Sequence, residues 1–215
     1  MKAVAFYGNA KRRLLNEGCA AEINWQAGQN PDATTECDFL RESAWVIYCS
    51  GFREATVRRY FDYLSLCFFD WTSSKAIASS GNACVMAAMN AMRNRRKHEA
   101  IVTVASHVAK MGFEVFKRQL IKSPIETLQG FPFLGPVTSI HLAKNLGFDL
   151  AKPDRHLVRL KDHLGFNDVE EMCRSISSVT GDPLKVVDLV LWRYLERHGR
   201  FNEWHRMPEE AAQNG

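Results

Sequence analysis

The chain has 215 residues, enough for one sizeable core or two small lobes, with 46 % hydrophobic residues and a formal net charge of +4. No run of about 18 apolar residues occurs, so the sequence excludes a membrane-spanning helix. The N-terminus lacks the apolar segment of a signal peptide, and six cysteines without a CxxC pair predict unpaired thiols and no zinc site. We therefore expect a cytoplasmic protein whose mild positive charge is compatible with a polyanionic partner.

Apolar residues recur with helical spacing along most of the chain, and no segment alternates as a half-buried strand would. Thr35 followed by Asp38 is typical of a capping box at a helix start, and Gly81 is expected to break one segment into two short helices. The expected helices cover residues 38–50, 53–69, 73–92 as two pieces, 96–112, 113–122, 123–130, 135–147, 153–165, 167–181 and 182–199. The sequence thus predicts an all-α protein of roughly ten helices.

One short turn, with the sequence FPFL, is bracketed by two glycines and lies between two of the expected helices. Gly130 lets the first helix end, Gly135 leaves room for close approach to the backbone, and Pro136 fits the first turn of the second helix. The N–H groups of Phe133, Gly135 and Thr138 are then expected to be unpaired, which is a natural arrangement for binding phosphate. Backbone carbonyls of the same turn are candidate ligands for a structural Na⁺ or K⁺ ion, from residues Gln129, Phe131 and Leu134.

The segment FPFLGPVTSIHLAKNLG resembles the helix-hairpin-helix of the DNA glycosylase superfamily that includes endonuclease III. In that family a leucine-proline-glycine-valine-glycine hairpin and a helix are followed by a loop that carries an aspartate and, two residues later, a histidine. Here Pro132 and Gly135 match the hairpin, and Phe133 replaces its first glycine. Asp154 and His156 match the acidic loop.

The resemblance extends over residues 38–165 and implies two helical lobes with an active-site cleft between them. The implied boundaries are residues 1–36 with 150–208 for one lobe, 37–149 for the other including a helix-hairpin-helix near 124–147, and 209–215 for a tail. The resemblance also implies a monomeric, nucleoid-associated protein that binds double-stranded DNA and requires no cofactor.

Two departures from the family pattern bear on the chemistry. Bifunctional members carry a lysine two residues past the second hairpin glycine, where this chain has Val137, so the resemblance implies a monofunctional glycosylase without a lyase step. Some relatives hold an iron–sulfur cluster on four cysteines, whereas only Cys173 follows the acid here, so no such cluster is expected. The alternatives are a lyase that uses Lys144 or Lys152 and a non-catalytic helix-hairpin-helix protein that binds DNA structure.

The expected reaction hydrolyses the bond between the sugar C1′ and the base, through a cation-like sugar. The resemblance assigns Asp154 to stabilise this charge and to activate water. Its place at a helix start just after Pro153 favours the ionised carboxylate. The simpler interpretation, that Asp154 is only a helix N-cap, stays open.

A base can reach this acid only by leaving the duplex, so the site needs flat apolar walls and a residue that fills the vacated stack. Phe52 is the first candidate for the wedge and Asn82 the second. The candidate walls, each of which has a core aromatic as its alternative, are Trp25, Trp45 and Tyr48.

Charged residues complete the predicted site. Glu22 is a candidate for holding a base edge, and Glu42 fits better as a charge in the first turn of its helix. Contacts to the DNA backbone are expected from Lys152, Arg155, His156 and Arg159. A further basic run, either a solvated helix start or a phosphate-facing patch, contains Arg93, Arg95, Arg96 and Lys97. The substrate base is left open among alkylated purines, deaminated or oxidised bases, and a bulky modified pyrimidine of phage DNA, which would imply a defence role.

Overall fold

The computed structural model describes residues 2–199, and within this range it contains thirteen α-helices, two short 3₁₀ turns and no β-strand. The predicted all-α class is therefore confirmed. The helices are α1 (Lys2–Asn16), α2 (Ala20–Gly28), α3 (Glu36–Cys49), α4 (Glu54–Cys67), α5 (Ser74–Ser79), α6 (Gly81–Ala88), α7 (Arg95–Met111), α8 (Phe113–Lys122), α9 (Pro124–Gln129), α10 (Pro136–Asn145), α11 (Arg155–Leu164), α12 (Val169–Thr180) and α13 (Leu184–His198). The expected tail at 209–215, and residues 200–208 of one expected lobe, lie outside the described residues.

Local sequence signals explain where several helices begin and end. Thr35 and Asp38 form the predicted capping box of α3, in which the Thr35 hydroxyl accepts from the Asp38 N–H and the Asp38 carboxylate accepts from the Thr35 N–H. Gly165 ends α11 in the left-handed conformation, with φ of 80°. Across the part of the chain that is described, no helix is both long and apolar enough to cross a bilayer.

The chain divides into two compact units. The first combines both ends of the chain, described over residues 2–27 and 153–199, and packs α1, α11 and α12 against the buried helix α13. Its two segments are tied by Asp182, whose carboxylate accepts from the Tyr7 hydroxyl at 2.6 Å and from Lys11 Nζ at 2.7 Å.

The second unit comprises residues 28–152 and packs α3 against α4, α7 and α10. Its core contains Trp71, whose ring stacks on Phe68 with 5.2 Å between the ring centres and whose Nε1–H donates to Ser65 at 2.8 Å. Contacts between α3 and α7 place the C-terminal end of α3 beside the start of α7. All six cysteines lie in the described part of the chain and form no disulfide bond there, as predicted.

Candidate functional site

The turn between α9 and α10 has the open backbone donors that its sequence predicts. The Leu134 N–H donates to the Phe131 carbonyl at 3.2 Å, and the Thr138 hydroxyl donates to the Phe133 carbonyl at 2.9 Å. By contrast, the N–H groups of Phe133, Gly135 and Thr138 donate to no acceptor within residues 2–199. One N–H group in the turn and two at the start of α10 are therefore available to an external acceptor such as a phosphate oxygen.

The backbone strain of this turn lies at Phe133 rather than at a glycine. Phe133 has φ of 66°, in the left-handed region that a bulky residue rarely occupies. Gly135 has φ of −77°, and a Cβ added there would meet no atom of residues 2–199 within 4 Å. The fold itself does not require glycine at position 135, which is consistent with space kept for a partner.

The prediction that Lys97 belongs to a solvated or phosphate-facing basic run is wrong, because Lys97 is only 3 % exposed. Sequence reasoning did not indicate that this side chain organises the region. Its ammonium donates to the carbonyls of Ile47, Tyr48 and Ser50 and to the Ser50 hydroxyl at 2.8 Å. These carbonyls belong to the C-terminal end of α3, where backbone acceptors lack partners within the helix. Burial lowers the pKa of Lys97 to about 8.

The same ammonium contacts two aromatic side chains. Lys97 Nζ lies 5.5 Å from the centre of the Phe52 ring and 4.7 Å from the centre of the Phe133 ring, within the range of cation–π attraction. The structure therefore brings together the predicted wedge residue and the strained residue of the α9–α10 turn. Helical spacing carried a signal for this position, because Lys97 lies on the buried face of α7 with Ile101, Val104 and Val108.

The structure corrects one predicted wall residue and positions the others. Tyr48 is fully buried and its hydroxyl is hydrogen-bonded to His98 Nδ1 at 2.8 Å, so the prediction that it lines a pocket is wrong. The apolar spacing that suggested a wall belongs to the core face of α3. Trp45 is half-buried, with its ring 5.1 Å from the Phe61 ring, and Trp25 is 40 % exposed on α2. The roles of these two tryptophans stay predictions.

Both glutamates that were considered as second acids have partners in the fold. Glu22 accepts from Arg193 Nε at 3.0 Å and from Arg193 Nη2 at 2.5 Å. Glu42 was expected in a first helical turn, and this is wrong, because α3 begins at Glu36 and places Glu42 in mid-helix. There its carboxylate accepts from Asn145 Nδ2 at 3.0 Å, and burial raises its pKa although that hydrogen bond opposes the shift.

Asp154 is the N-cap of α11, as the simpler interpretation expected. Its Oδ1 accepts from the N–H groups of His156 at 2.8 Å and Leu157 at 3.0 Å. Its Oδ2 accepts no hydrogen bond from any residue between 2 and 199. The carboxylate is partly exposed, with one oxygen held by the helix and the other without a donor among the described residues. Arg155 and Arg159 are exposed on the same helix.

The lysines and Val137 occupy different environments. Val137 is 41 % exposed in the first turn of α10, whereas Lys144, in the last turn of that helix, is only 5 % exposed. Lys152 is half-buried at the end of the second unit, and Asn82 is exposed in the first turn of α6.

Comparisons of the chain with protein-family models, curated proteins and solved structures find no match. The resemblance to a family over residues 38–165 therefore rests on the sequence pattern alone and stays a prediction. Among residues 2–199, no three His, Cys, Asp or Glu side chains are arranged to hold a metal ion. The proposed carbonyl ligands for Na⁺ or K⁺, Gln129, Phe131 and Leu134, stay a prediction, and the Phe131 carbonyl already accepts one hydrogen bond in the turn.

Proposed function

We propose that this protein is a monofunctional DNA glycosylase, in which α9, the following turn and α10 form a helix-hairpin-helix that binds the sugar–phosphate backbone. The observation that carries the proposal is that the two carboxylate oxygens of Asp154 differ in their hydrogen bonds. Oδ1 is fixed by two backbone N–H groups, and Oδ2 has no protein donor within the described chain. Hydrogen bonds to one oxygen orient the carboxylate, and the other oxygen can still interact with a cation. Such a group is suited to stabilise positive charge.

Support for DNA binding comes from the donors around these elements. The N–H groups of Phe133, Gly135 and Thr138 have no acceptor among residues 2–199, and the start of α10 favours a negative charge. In the first unit, Arg155 and Arg159 add two exposed positive charges near Asp154. Contacts of this kind bind phosphate without reading sequence, so affinity should fall steeply with salt.

The chemistry follows from what one carboxylate can do. The C1′–N bond of an extruded nucleoside breaks, its electron pair leaves with the base, and the sugar becomes cation-like. Asp154 stabilises that positive charge and accepts a proton from the water whose oxygen then bonds to C1′. The products are the free base and an abasic site, and the DNA strand remains intact because no amine attacks C1′.

The decisive test compares two matched N-cap variants. Asp154→Asn keeps an efficient cap but removes the charge, so we expect folding to be retained and base release to fall by about 10²- to 10⁴-fold. Asp168→Asn makes the same change at the cap of α12, where the side chain accepts from the Glu171 N–H at 2.7 Å, and should leave release unchanged. Substrates are a panel of duplexes with alkylated, deaminated or oxidised bases, together with phage genomes that carry modified pyrimidines. Release by Asp154→Asn at the wild-type rate would refute the catalytic role.

A second function is favoured by one observation: capping α11 already accounts for an aspartate at position 154. A helix-hairpin-helix protein that only binds DNA would form no abasic site on any member of the panel. A third candidate function is a lyase that uses Lys144 or Lys152. Borohydride reduction would then leave a covalent adduct between the protein and the DNA. We expect abasic sites and no adduct.

A further inference from the structure

Phe52 and Phe133 are two aromatic residues from separate turns of the second unit that share one buried cation. We propose that these two rings, held by Lys97, form a stacking surface for an unpaired base, so that the protein prefers DNA with a gap or an extruded nucleotide over a continuous duplex. The inference rests on the proposed function only for the choice of DNA as the ligand. It assigns to Phe133 a side-chain role in addition to its backbone N–H.

The first support is the strain at Phe133. A left-handed residue with a Cβ is disfavoured relative to glycine, and glycine at position 133 would remove that cost. The chain nevertheless has phenylalanine there, and 38 % of the residue remains exposed. A strained backbone that presents an apolar ring to solvent indicates that the ring is used for contact.

The second support is the way in which the rings are held. Lys97 is anchored by three carbonyls and one hydroxyl at the end of α3, so its ammonium has a defined position. From that position it attracts both the Phe52 ring and the Phe133 ring. A pair of rings that is already oriented loses little side-chain entropy on binding a flat ligand.

Charge complementarity favours a nucleic acid strand as the ligand, because arginines attract its phosphates while the flat rings can stack on its bases. Arg53 follows Phe52 directly, and Arg96 precedes Lys97 at the start of α7. Together with Arg93 they are exposed and form no ion pair within residues 2–199. Arginines near the N-terminus of a helix oppose its dipole, so they do not serve the stability of α7. Flat rings with exposed arginines next to them in sequence are the combination that binds bases and phosphates of an unpaired strand.

The test measures a ratio of affinities with the full chain. Two duplexes of one sequence are titrated with protein, one continuous and one with a one-nucleotide gap flanked by the fluorescent base 2-aminopurine. The readouts are the quenching of fluorescence and the affinity ratio, defined as the Kd for the continuous duplex divided by the Kd for the gapped duplex. Stacking of one base on an aromatic side chain corresponds to a preference of about 5- to 150-fold for the gapped duplex. We expect wild type to show this preference, together with quenching.

Three variants separate a stacking ring from a structural one. Phe133→Gly removes the ring and relieves the strain, and should bring the affinity ratio close to one. Phe133→Tyr keeps a flat ring and should retain the ratio and the quenching. Phe69→Gly is the matched control, because Phe69 is another exposed phenylalanine with positive φ, of 55°, and its loss should leave the ratio unchanged.

The outcomes distinguish this inference from the proposed function. A wild-type affinity ratio near one, or an elevated ratio that persists in Phe133→Gly, would overturn the stacking surface. Neither result would contradict the proposed release of a base. Equal weakening of both duplexes by Phe133→Gly would also overturn it, since the ring would then serve only to shape the turn. Failure to bind any DNA would overturn the proposed function as well.

Discussion

The ammonium group of Lys97 lies 4.7 Å from the centre of the Phe133 ring and thereby joins the first turn of α7 to the turn before α10. The same nitrogen donates to carbonyls at the end of α3, so one side chain connects three separate parts of the second unit. A buried lysine is tolerated only where its charge has such partners. Its contribution to the fold can therefore be measured apart from any activity.

Replacement of Lys97 by methionine should lower the free energy of unfolding by about 2 kcal/mol at pH 7, because the carbonyls of Ile47, Tyr48 and Ser50 lose their donor. Methionine keeps an apolar stem of similar length, so the loss reports mainly on the ammonium. Urea unfolding of both proteins measures the difference. Lys110→Met, at the exposed end of the same helix, is the control and should change stability by less than about 0.5 kcal/mol. Equal effects at the two positions would show that the ammonium has no structural role.

The strain at Phe133 predicts an unusual order of stabilities. Alanine there would lose the ring and keep the left-handed strain, whereas glycine would lose the ring and relieve it. We therefore expect Phe133→Gly to be more stable than Phe133→Ala by about 1 kcal/mol in thermal unfolding. Phe52 does not have a positive φ, so there the alanine variant should be at least as stable as the glycine variant. The same order at both positions would contradict the strain.

Local signals predicted most of the helices, because caps and glycine termini depend on residues that are close in sequence. Thr35 with Asp38 and the glycine after α11 are examples. The N-terminal helices α1 and α2 were not predicted. The buried face of α1 includes Ala3 and Ala10, and such small residues give a weak apolar period.

The candidate site was less predictable because it depends on contacts between distant segments. The position of Phe133 in the turn followed from the sequence, but its strain and its contact with Lys97 did not. Tyr48 was predicted to line a pocket because apolar spacing identifies one face of a helix but not what packs against that face. In the fold, Tyr48 is buried in the core. The hydrogen bond between Glu42 and Asn145 joins α3 to α10, which no local pattern indicates.

Glu22 and Arg193 offer a test of whether a predicted ligand residue is structural. Arg193 is largely buried and donates to both carboxylate oxygens of Glu22, so Glu22→Gln removes the negative charge and replaces one acceptor oxygen with an amide NH2 group. We expect a loss of about 1–3 kcal/mol in urea unfolding. The control is Glu170→Gln, which breaks an exposed pair with Arg174 one turn away and should cost less than about 0.5 kcal/mol. A Glu22→Gln protein as stable as wild type would indicate that the carboxylate is reserved for a ligand.

Glu42 makes stability depend on pH, and the sign follows from the direction of its pKa shift. Burial raises the pKa of Glu42 above the ordinary value of 4.5, so the folded protein holds this proton more tightly than the unfolded chain does. The resulting stability is fully present below pH 4.5 and is lost as the pH rises through the folded pKa. Glutamine is neutral at every pH, and its carbonyl can still accept from Asn145.

Glu42→Gln should therefore gain stability relative to wild type as the pH rises above 4.5, by at most about 1.4 kcal/mol per pH unit. Urea unfolding of both proteins at pH 4, 5, 6 and 7 (about one unit apart, so that each step is resolved) measures the difference. Glu126→Gln, which removes an exposed charge from α9, controls for the general loss of one negative charge. A difference in stability between Glu42→Gln and wild type that stays constant across this range would contradict the prediction. It would mean that the carboxyl has the same pKa in the folded and unfolded states, despite its burial between α3 and α10.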